Sequence, residues 1–339
     1  MPLLPPGRYR QGKGGGKVST PMIEVKHLKK YFNTPKGTLH AVDDISFKIE
    51  KGKTMGVVGE SGCGKSTLGR TIIHLLESTD GQIFMNGQDI THVDKHQMHE
   101  INEKMQIVFQ DPYSSLNPRQ TVEDVIREPL KLSKRYKTRA EIDQKTDELM
   151  KLVGIDERLR HAYPHELDGG RRQRVGIARA LSLNPDFIVC DEPVSALDVS
   201  IQAQVLNLLQ DLQEKQGLTY MFVTHDLSVV RHISDDICVM YLGQLVETSP
   251  AKELFIRPLH PYTKALLSAI PSTDIDHPHE RIKLQGEITS PIDPKPGCRF
   301  AARCPYATEA CRQPQQLEEI LPNHYISCCR ARELNKDIL

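Results

Sequence analysis

Apolar residues along this chain follow two rhythms. Ile23-Glu24-Val25, Leu39 to Val42 and Ile45-Ser46-Phe47-Lys48-Ile49 alternate apolar with polar side chains, which predicts half-buried strands. Gly81 to Gly87 predicts a strand pair turning at Asn86-Gly87. Four other segments are continuously apolar: Met55-Gly56-Val57-Val58, Phe187 to Cys190, Tyr220 to Val223 and Ile237 to Met240. They are rich in β-branched residues and separated by helical patterns such as Leu68 to Ile73 and Ile201 to Glu214. That arrangement predicts a largely parallel sheet covered on both faces, an α/β class. From about 111 to 175 the rhythm turns helical and charged, as in Ala140 to Lys145 and Thr146 to Val153, which predicts a helical insert. Beyond about His260 the chain is rich in Pro and Cys and reads as a loop-rich appendage. No internal repeat is visible.

One junction between a buried strand and a helix carries chemistry. Gly59-Glu60-Ser61-Gly62-Cys63-Gly64-Lys65-Ser66-Thr67 completes the G-x-x-x-x-G-K-[ST] pattern directly after Met55 to Val58. A strand, a glycine-rich turn and a helix start at Lys65 are the context this pattern requires. Backbone N–H groups of such a loop point at an anion, and the helix N-terminus adds positive potential. Lys65 can reach the β- and γ-phosphates, and the Ser66 hydroxyl can ligate Mg²⁺. The chain therefore reads as a nucleoside triphosphate binder.

A second element supports hydrolysis. Phe187-Ile188-Val189-Cys190 ends in Asp191-Glu192, two carboxylates at the C-terminal end of a buried strand, where open α/β sheets bind ligands. Asp191 suits Mg²⁺ and Glu192 suits a general base for the attacking water. Gln110, after Met105 to Phe109, can touch Mg²⁺ or water. His225, after Phe222-Val223-Thr224, can contact a γ-phosphate. Taken singly, Gln110 and His225 read more readily as a strand-end amide and a capping imidazole.

Bulk properties narrow the class. The 339 residues suffice for roughly two domains. Hydrophobic residues make up 38% and the mean hydropathy is −0.43, which suits a soluble protein. No apolar run approaches the ~20 residues of a membrane span, and no secretion signal opens the chain. With 44 basic and 44 acidic residues, a dedicated nucleic-acid binder is disfavoured. The first twenty residues carry Arg8, Arg10, Lys13 and Lys17 with no acid, plus Gly14 to Gly16, and read as a disordered basic tail.

Taken in order, the phosphate loop, Gln110, Leu167-Asp168-Gly169-Gly170-Arg171, Asp191-Glu192, Ser195-Ala196-Leu197-Asp198 and His225 resemble an ATP-binding-cassette ATPase from about Ile23 to Pro271. The resemblance implies a P-loop NTPase core with a helical subdomain (about 111–175) and an antiparallel β subdomain. It implies that Phe32, or Tyr31 beside it, stacks on adenine, as a flat aromatic face would. It also implies that the Asp168 to Arg171 loop, with Asp198, serves nucleotide bound across a subunit interface. Asp111 to Arg119, His260-Pro261-Tyr262-Thr263-Lys264-Ala265-Leu266-Leu267 and Pro296-Gly297-Cys298-Arg299-Phe300 with Arg303-Cys304-Pro305 resemble the peptide and nickel importer branch. By that resemblance 21–258 is the ATPase domain and 259–339 an importer-type C-terminal region. The implied role is the ATPase subunit of a dipeptide or oligopeptide importer at the cytoplasmic face of the membrane. The implied partners are a second ATPase subunit, alike or identical, two permease subunits and an extracytoplasmic binding protein, with the helical insert facing the permease and no nucleic acid. A nickel or metal-chelate importer is the alternative cargo class. A soluble cassette protein of DNA repair or translation and a pure ATP- and metal-sensing module are the competing functions. The first usually carries two cassettes or long coiled coils, and the second has no need of Glu192.

Two features depart from the family pattern or extend it. The signature reads Leu-Asp-Gly-Gly-Arg where the family has Leu-Ser-Gly-Gly-Gln. Its glycines still let backbone N–H groups approach a phosphate. The Asp168 carboxylate would repel that phosphate unless Arg171 offsets it. The expectation is that the composite site using this signature is the weaker of two; the alternative is a simple family variant with full activity. The second feature is a cluster in which Cys298, Cys304, Cys311 and Cys328 are separated by five, six and sixteen residues, with Cys329 adjacent. Neither short gap fits the usual zinc pair, and four thiolates are the usual holders of an iron–sulfur cluster. The resemblance implies a [4Fe-4S] cluster on these four cysteines. Zinc and unliganded thiols are the alternatives, and Cys329 could substitute for Cys328.

Overall fold

The computed structural model describes residues 20–133, 135–270, 281–284, 286 and 289–338. The basic tail residues Arg8, Arg10, Lys13 and Lys17 lie outside them. Two sheets organise the chain. The smaller is antiparallel, in the order β2-β1-β4-β5, built from β1 (Ile23–Thr34), β2 (Gly37–Ile49), β4 (Asp80–Met85) and β5 (Gln88–Asp89). β1 and β2 form one long hairpin whose register slips between Val25 and Tyr31. Those slips break the alternation, so the sequence showed three short strands where two long bent ones form. At the Asn86-Gly87 turn both residues have positive φ (50° and 80°), the geometry of a two-residue hairpin.

The larger sheet has eight strands. Its core is β3 (Thr54–Val58), β6 (Met105–Val108), β7 (Phe187–Asp191), β8 (Thr219–Thr224) and β9 (Asp236–Tyr241), in the order β9-β3-β8-β7-β6. All neighbours in that run pair in parallel. Every residue of β3, β7 and β8 is buried, as a sheet covered on both faces requires. The two faces feed different cores by the period of two. Val57, Val189, Met221 and Val223 pack into one apolar cluster, with the antiparallel sheet and α1 (Lys65–Ile72). Val58, Ile188, Cys190, Tyr220 and Phe222 pack into the other, with the helices of the opposite face. Each such side chain contributes roughly 1.5–3 kcal/mol of burial.

Between β6 and β7 the chain is helical. It contains α3 (Pro112–Ser115), α4 (Val122–Leu132), α5 (Arg139–Leu152) and α6 (Gly169–Leu181), following α2 (Lys95–Lys104). Thr121 with Asp124 and Thr138 with Glu141 form capping boxes that start α4 and α5. The helices α7 (Val199–Gln216), α8 (Leu227–Ile233), α9 (Ala251–Ile256) and α10 (Pro261–Ser268) complete the α/β layers.

The C-terminal region differs from a loop-rich appendage. Antiparallel β10 (Gln244–Pro250) pairs with β9, and β12 (His324–Ile326) and β11 (Glu318–Leu321) add to its free edge. A short α11 (Ala331–Leu334) follows. The junction is fixed by Glu247, which is fully buried on β10. Its carboxylate accepts N–H bonds from Leu259 (2.7 Å) and His260 (2.9 Å) and lies 2.7 Å from His324 Nε2. A buried carboxylate needs such partners, because an unpaired one costs several kcal/mol. Burial pushes the neighbouring His260 down to about 4, so its Nδ1 accepts the Tyr262 N–H as a neutral imidazole.

Candidate active site

Gly59 to Gly64 connect β3 to α1, and Lys65 to Thr67 open that helix. Gly59 and Gly64 have positive φ (154° and 105°), and a Cβ at either would meet a backbone oxygen, of Met240 or Ala41, at about 2 Å. Only glycine closes this loop without backbone movement. Lys65 is buried, and its Nζ donates to the carbonyls of Gly59 (2.8 Å) and Glu60 (3.0 Å). Asp191, at the end of β7, is fully buried. The Ser66 hydroxyl donates to it at 2.6 Å, and the Arg70 guanidinium lies 3.2 Å from its other oxygen. A hydroxyl and a carboxylate thus converge as hard oxygen donors, a fit for Mg²⁺. Arg70 was not anticipated from sequence. Its only local signal is its place on α1, one turn beyond Ser66.

Glu192 follows Asp191 with a φ of +46°, which a non-glycine residue seldom adopts and which clusters at functional sites. That turn brings its carboxylate to Gln110 Nε2 (2.8 Å) and His225 Nδ1 (3.3 Å). Three residues separated widely in sequence therefore meet around one carboxylate. Gln110, Glu192, His225, Lys65 and Ser66 all line a single cleft of about 680 Å³, a volume typical of small-ligand sites. Phe32, Leu39, His40 and Ala41 line it as well. Tyr31 turns elsewhere: its ring stacks on His40 at 4.0 Å and its hydroxyl donates to Asp43. Of the two aromatic candidates, Phe32 is the one facing the cleft.

The remaining sequence candidates stand apart from this cleft wall. Asp168 caps α6, accepting the Arg171 N–H at 2.8 Å, with Arg171 Nε 3.5 Å from its other oxygen. Gly169 and Gly170 form the first turn of that helix. Asp198 caps α7 through Ile201 N–H (3.0 Å), and the Ser200 hydroxyl (2.7 Å) with that N–H lowers its pKa. Both loops are exposed helix starts, as surfaces presented to another subunit would be. Leu242, Gly243, Leu266 and Pro291 also line the cleft. They come from the β9–β10 turn and from the C-terminal region; Leu266 lies in the His260–Leu267 segment already singled out, though not as a site residue, and no local pattern marks the other three.

The cysteine expectation is corrected by the structure. Among the described residues, no three or more His, Cys, Asp or Glu side chains are grouped so as to hold a metal ion. Cys298, Cys304, Cys311 and Cys328 therefore do not form the [4Fe-4S] site expected of them, and the zinc alternative falls with it. Cys311 is buried against Thr308 N–H (3.5 Å) and lies 4.0 Å from Cys329 Sγ. Burial raises the thiol of Cys298 to about 12 and that of Cys328 to about 11, and it raises Cys304 as well.

A family model described as ABC transporter matches residues 42–195, and one described as oligopeptide/dipeptide transporter, C-terminal region matches 246–311. The oligopeptide transport ATP-binding protein OppF of Bacillus subtilis is 51% identical over 311 residues, covering 91% of this chain and 97% of its own. A putative peptide import ATP-binding protein of Brucella ovis is 47% identical, covering 92% and 99%. Among solved structures, a dimeric ATP-binding cassette in a post-hydrolysis state with ADP and Pi superposes with a TM-score of 0.62 at 28% identity, over 68% of this chain and 99% of that one. The cbiO1 protein of Clostridium perfringens, part of the ABC transporter complex cbiONQ, gives 0.62 at 29% identity, over 70% and 92%.

Proposed function

Because this chain belongs to the ATP-binding-cassette family of transporter ATPases, we propose that it powers uptake of oligopeptides or dipeptides through a membrane permease. The observation that carries this reading is the meeting of Gln110 and His225 on Glu192 in the cleft that holds the phosphate loop. The family matches, both to the cassette and to the importer-type C-terminal region, support the peptide class over a metal-chelate cargo.

In this mechanism Phe32 stacks on adenine, and the amides of Gly59 to Thr67 cradle the phosphates with Lys65. Ser66 and Asp191 would hold Mg²⁺, with Gln110 at its edge, and the ion would neutralise charge on the β- and γ-phosphates. Glu192 accepts the proton of the attacking water. Gln110 and His225 fix the direction of its carboxylate, and His225 can also donate to the γ-phosphate. The facing surface is completed by Asp168 to Arg171 and Asp198 of a second ATPase subunit, a homologue or a copy. Residues 21–258 form the ATPase unit, with 111–175 turned toward two permease subunits, and 259–339 form the importer-branch region. No helix among the described residues is long and apolar enough to cross a membrane. The chain sits in this reading as a peripheral subunit at the cytoplasmic face, fed by an extracytoplasmic binding protein. The test is purification of the complex from cells followed by reconstitution in vesicles. Peptide-loaded binding protein should raise ATP hydrolysis several-fold and drive peptide uptake. Hydrolysis that ignores peptide and responds to a metal chelate instead would sink the cargo class.

The two composite sites are unequal in this reading, with the one closed by this chain's Asp168 and Arg171 the weaker. Arg171 Nε lies 3.5 Å from Asp168 and both side chains are exposed to solvent, which screens the added charge, so the expected penalty is modest. Asp168→Ser with Arg171→Gln should raise transport-coupled hydrolysis about twofold in the assembled complex. An unchanged rate removes the asymmetry.

A further inference from the structure

The C-terminal region does more than extend the sheet: it reaches the phosphate loop. Arg303 makes a two-pronged pair with Glu60, the second residue of that loop, through Nη1–Oε2 at 2.7 Å and Nη2–Oε1 at 3.1 Å. Planar, two-pronged pairs of this kind are the strong, geometrically specific ones. The pair is sheltered, with the Arg303 side chain 10% and Glu60 25% exposed. The Glu60 N–H meanwhile donates to the buried Tyr262 hydroxyl at 2.9 Å, so both ends of this loop residue are held from beyond residue 258. Arg299, four residues before Arg303, binds the Leu242 carbonyl and the Asp43 carboxylate. The next residue, Gly243, donates its N–H to the Cys63 carbonyl of the loop at 2.8 Å. Arg299, just before one short helical turn (301–303), and Arg303, its last residue, thus brace the phosphate loop through the Leu242-Gly243 turn and directly.

We propose that Arg303, with Tyr262, is a positioning residue for nucleotide: it holds Glu60 so that the loop amides stand ready for the phosphates. The inference rests on the ATPase reading. Its test is chosen so that the two fail differently. A preformed loop saves the ordering cost of binding, so releasing it weakens affinity without touching the hydrolytic groups. The same cycle of variants, Arg303→Gln, Glu60→Gln and the double change, is made in the full chain and measured for dissociation of a fluorescent ATP analogue with Mg²⁺. Each single change should raise the dissociation constant about tenfold, and the double change no further than either alone, because both break one pair. Arg303→Lys should recover part of the loss, as one prong remains. In the assembled complex carrying Arg303→Gln, KM for ATP should rise while kcat stays within about twofold. Arg303→Gln leaving ATP affinity unchanged, or effects that add in the double variant, overturns the proposal. So does a fall in melting midpoint with no loss of affinity, which marks a purely structural contact. Should Arg303→Gln not fold, Glu60→Gln alone decides: unchanged affinity overturns the proposal, and a tenfold loss supports it. A wild-type chain that binds no ATP at all overturns the ATPase reading instead.

Discussion

Glu192→Gln lowers ATP hydrolysis by the assembled transporter by about 10²- to 10⁴-fold, the range that a positioned general base supplies. The substitution keeps the side-chain volume, and an amide at this place can still meet Gln110 and His225. Their partner oxygen now lies 2.8 Å and 3.3 Å from them. The strained φ of +46° is carried equally by Glu and Gln. ATP affinity should therefore stay within about threefold, since the phosphate loop, Ser66 and Asp191 are untouched. The expected signature is a complex that binds ATP, closes and does not turn over. Steady-state phosphate release together with equilibrium ATP binding checks it. Hydrolysis above a tenth of the parent rate would show that the water is activated by another group.

Lys65→Met works on the other half of the reaction. The ammonium is buried and donates to two loop carbonyls, so its removal takes away a phosphate contact and an internal tie of the loop together. Charge-assisted hydrogen bonds of this kind contribute about 1.5–3 kcal/mol, so ATP affinity should fall roughly 10- to 100-fold. Methionine fills the space of the lysine stem, and the chain should stay folded. Calorimetric titration with Mg-ATP checks it. A dissociation constant within threefold of the parent would mean that the loop amides alone carry the phosphate, with Lys65 only a structural tie.

The two predictions draw on residues that were readable in very different degrees. The phosphate loop and the Asp191-Glu192 strand end are contiguous patterns in which spacing and buried context sit within a few residues, so sequence reading reached them. Gln110 and His225 were legible only by their order along the chain; what makes them functional is that β6, β7 and β8 lie side by side and end together. Phe32 could be separated from Tyr31 only in three dimensions, where Tyr31 is engaged by His40 and Asp43. The Arg303–Glu60 pair joins residues 243 positions apart, and an isolated charge carries no periodicity to announce such a partner. The strands β11 and β12 were missed for a related reason. They are short and polar, and their pairing is set by a distant edge rather than by their own pattern. The cysteines misled in the opposite direction: their spacing suggested a shared ligand, whereas among the described residues no three metal-ligating side chains are grouped to hold an ion, and Cys311 instead contacts Cys329.

The grip of Arg303 on Glu60 has a consequence for how the protein is made. A ribosome delivers Glu60 first and Arg303 only 243 residues later. At roughly 5–20 residues per second, that is a wait on the order of 10–50 s. During that interval the phosphate loop exists without its distal brace, and Glu247 without His324. If Arg303 positions the loop as proposed, a nascent chain that has not yet reached Arg303 binds ATP more weakly than the finished one.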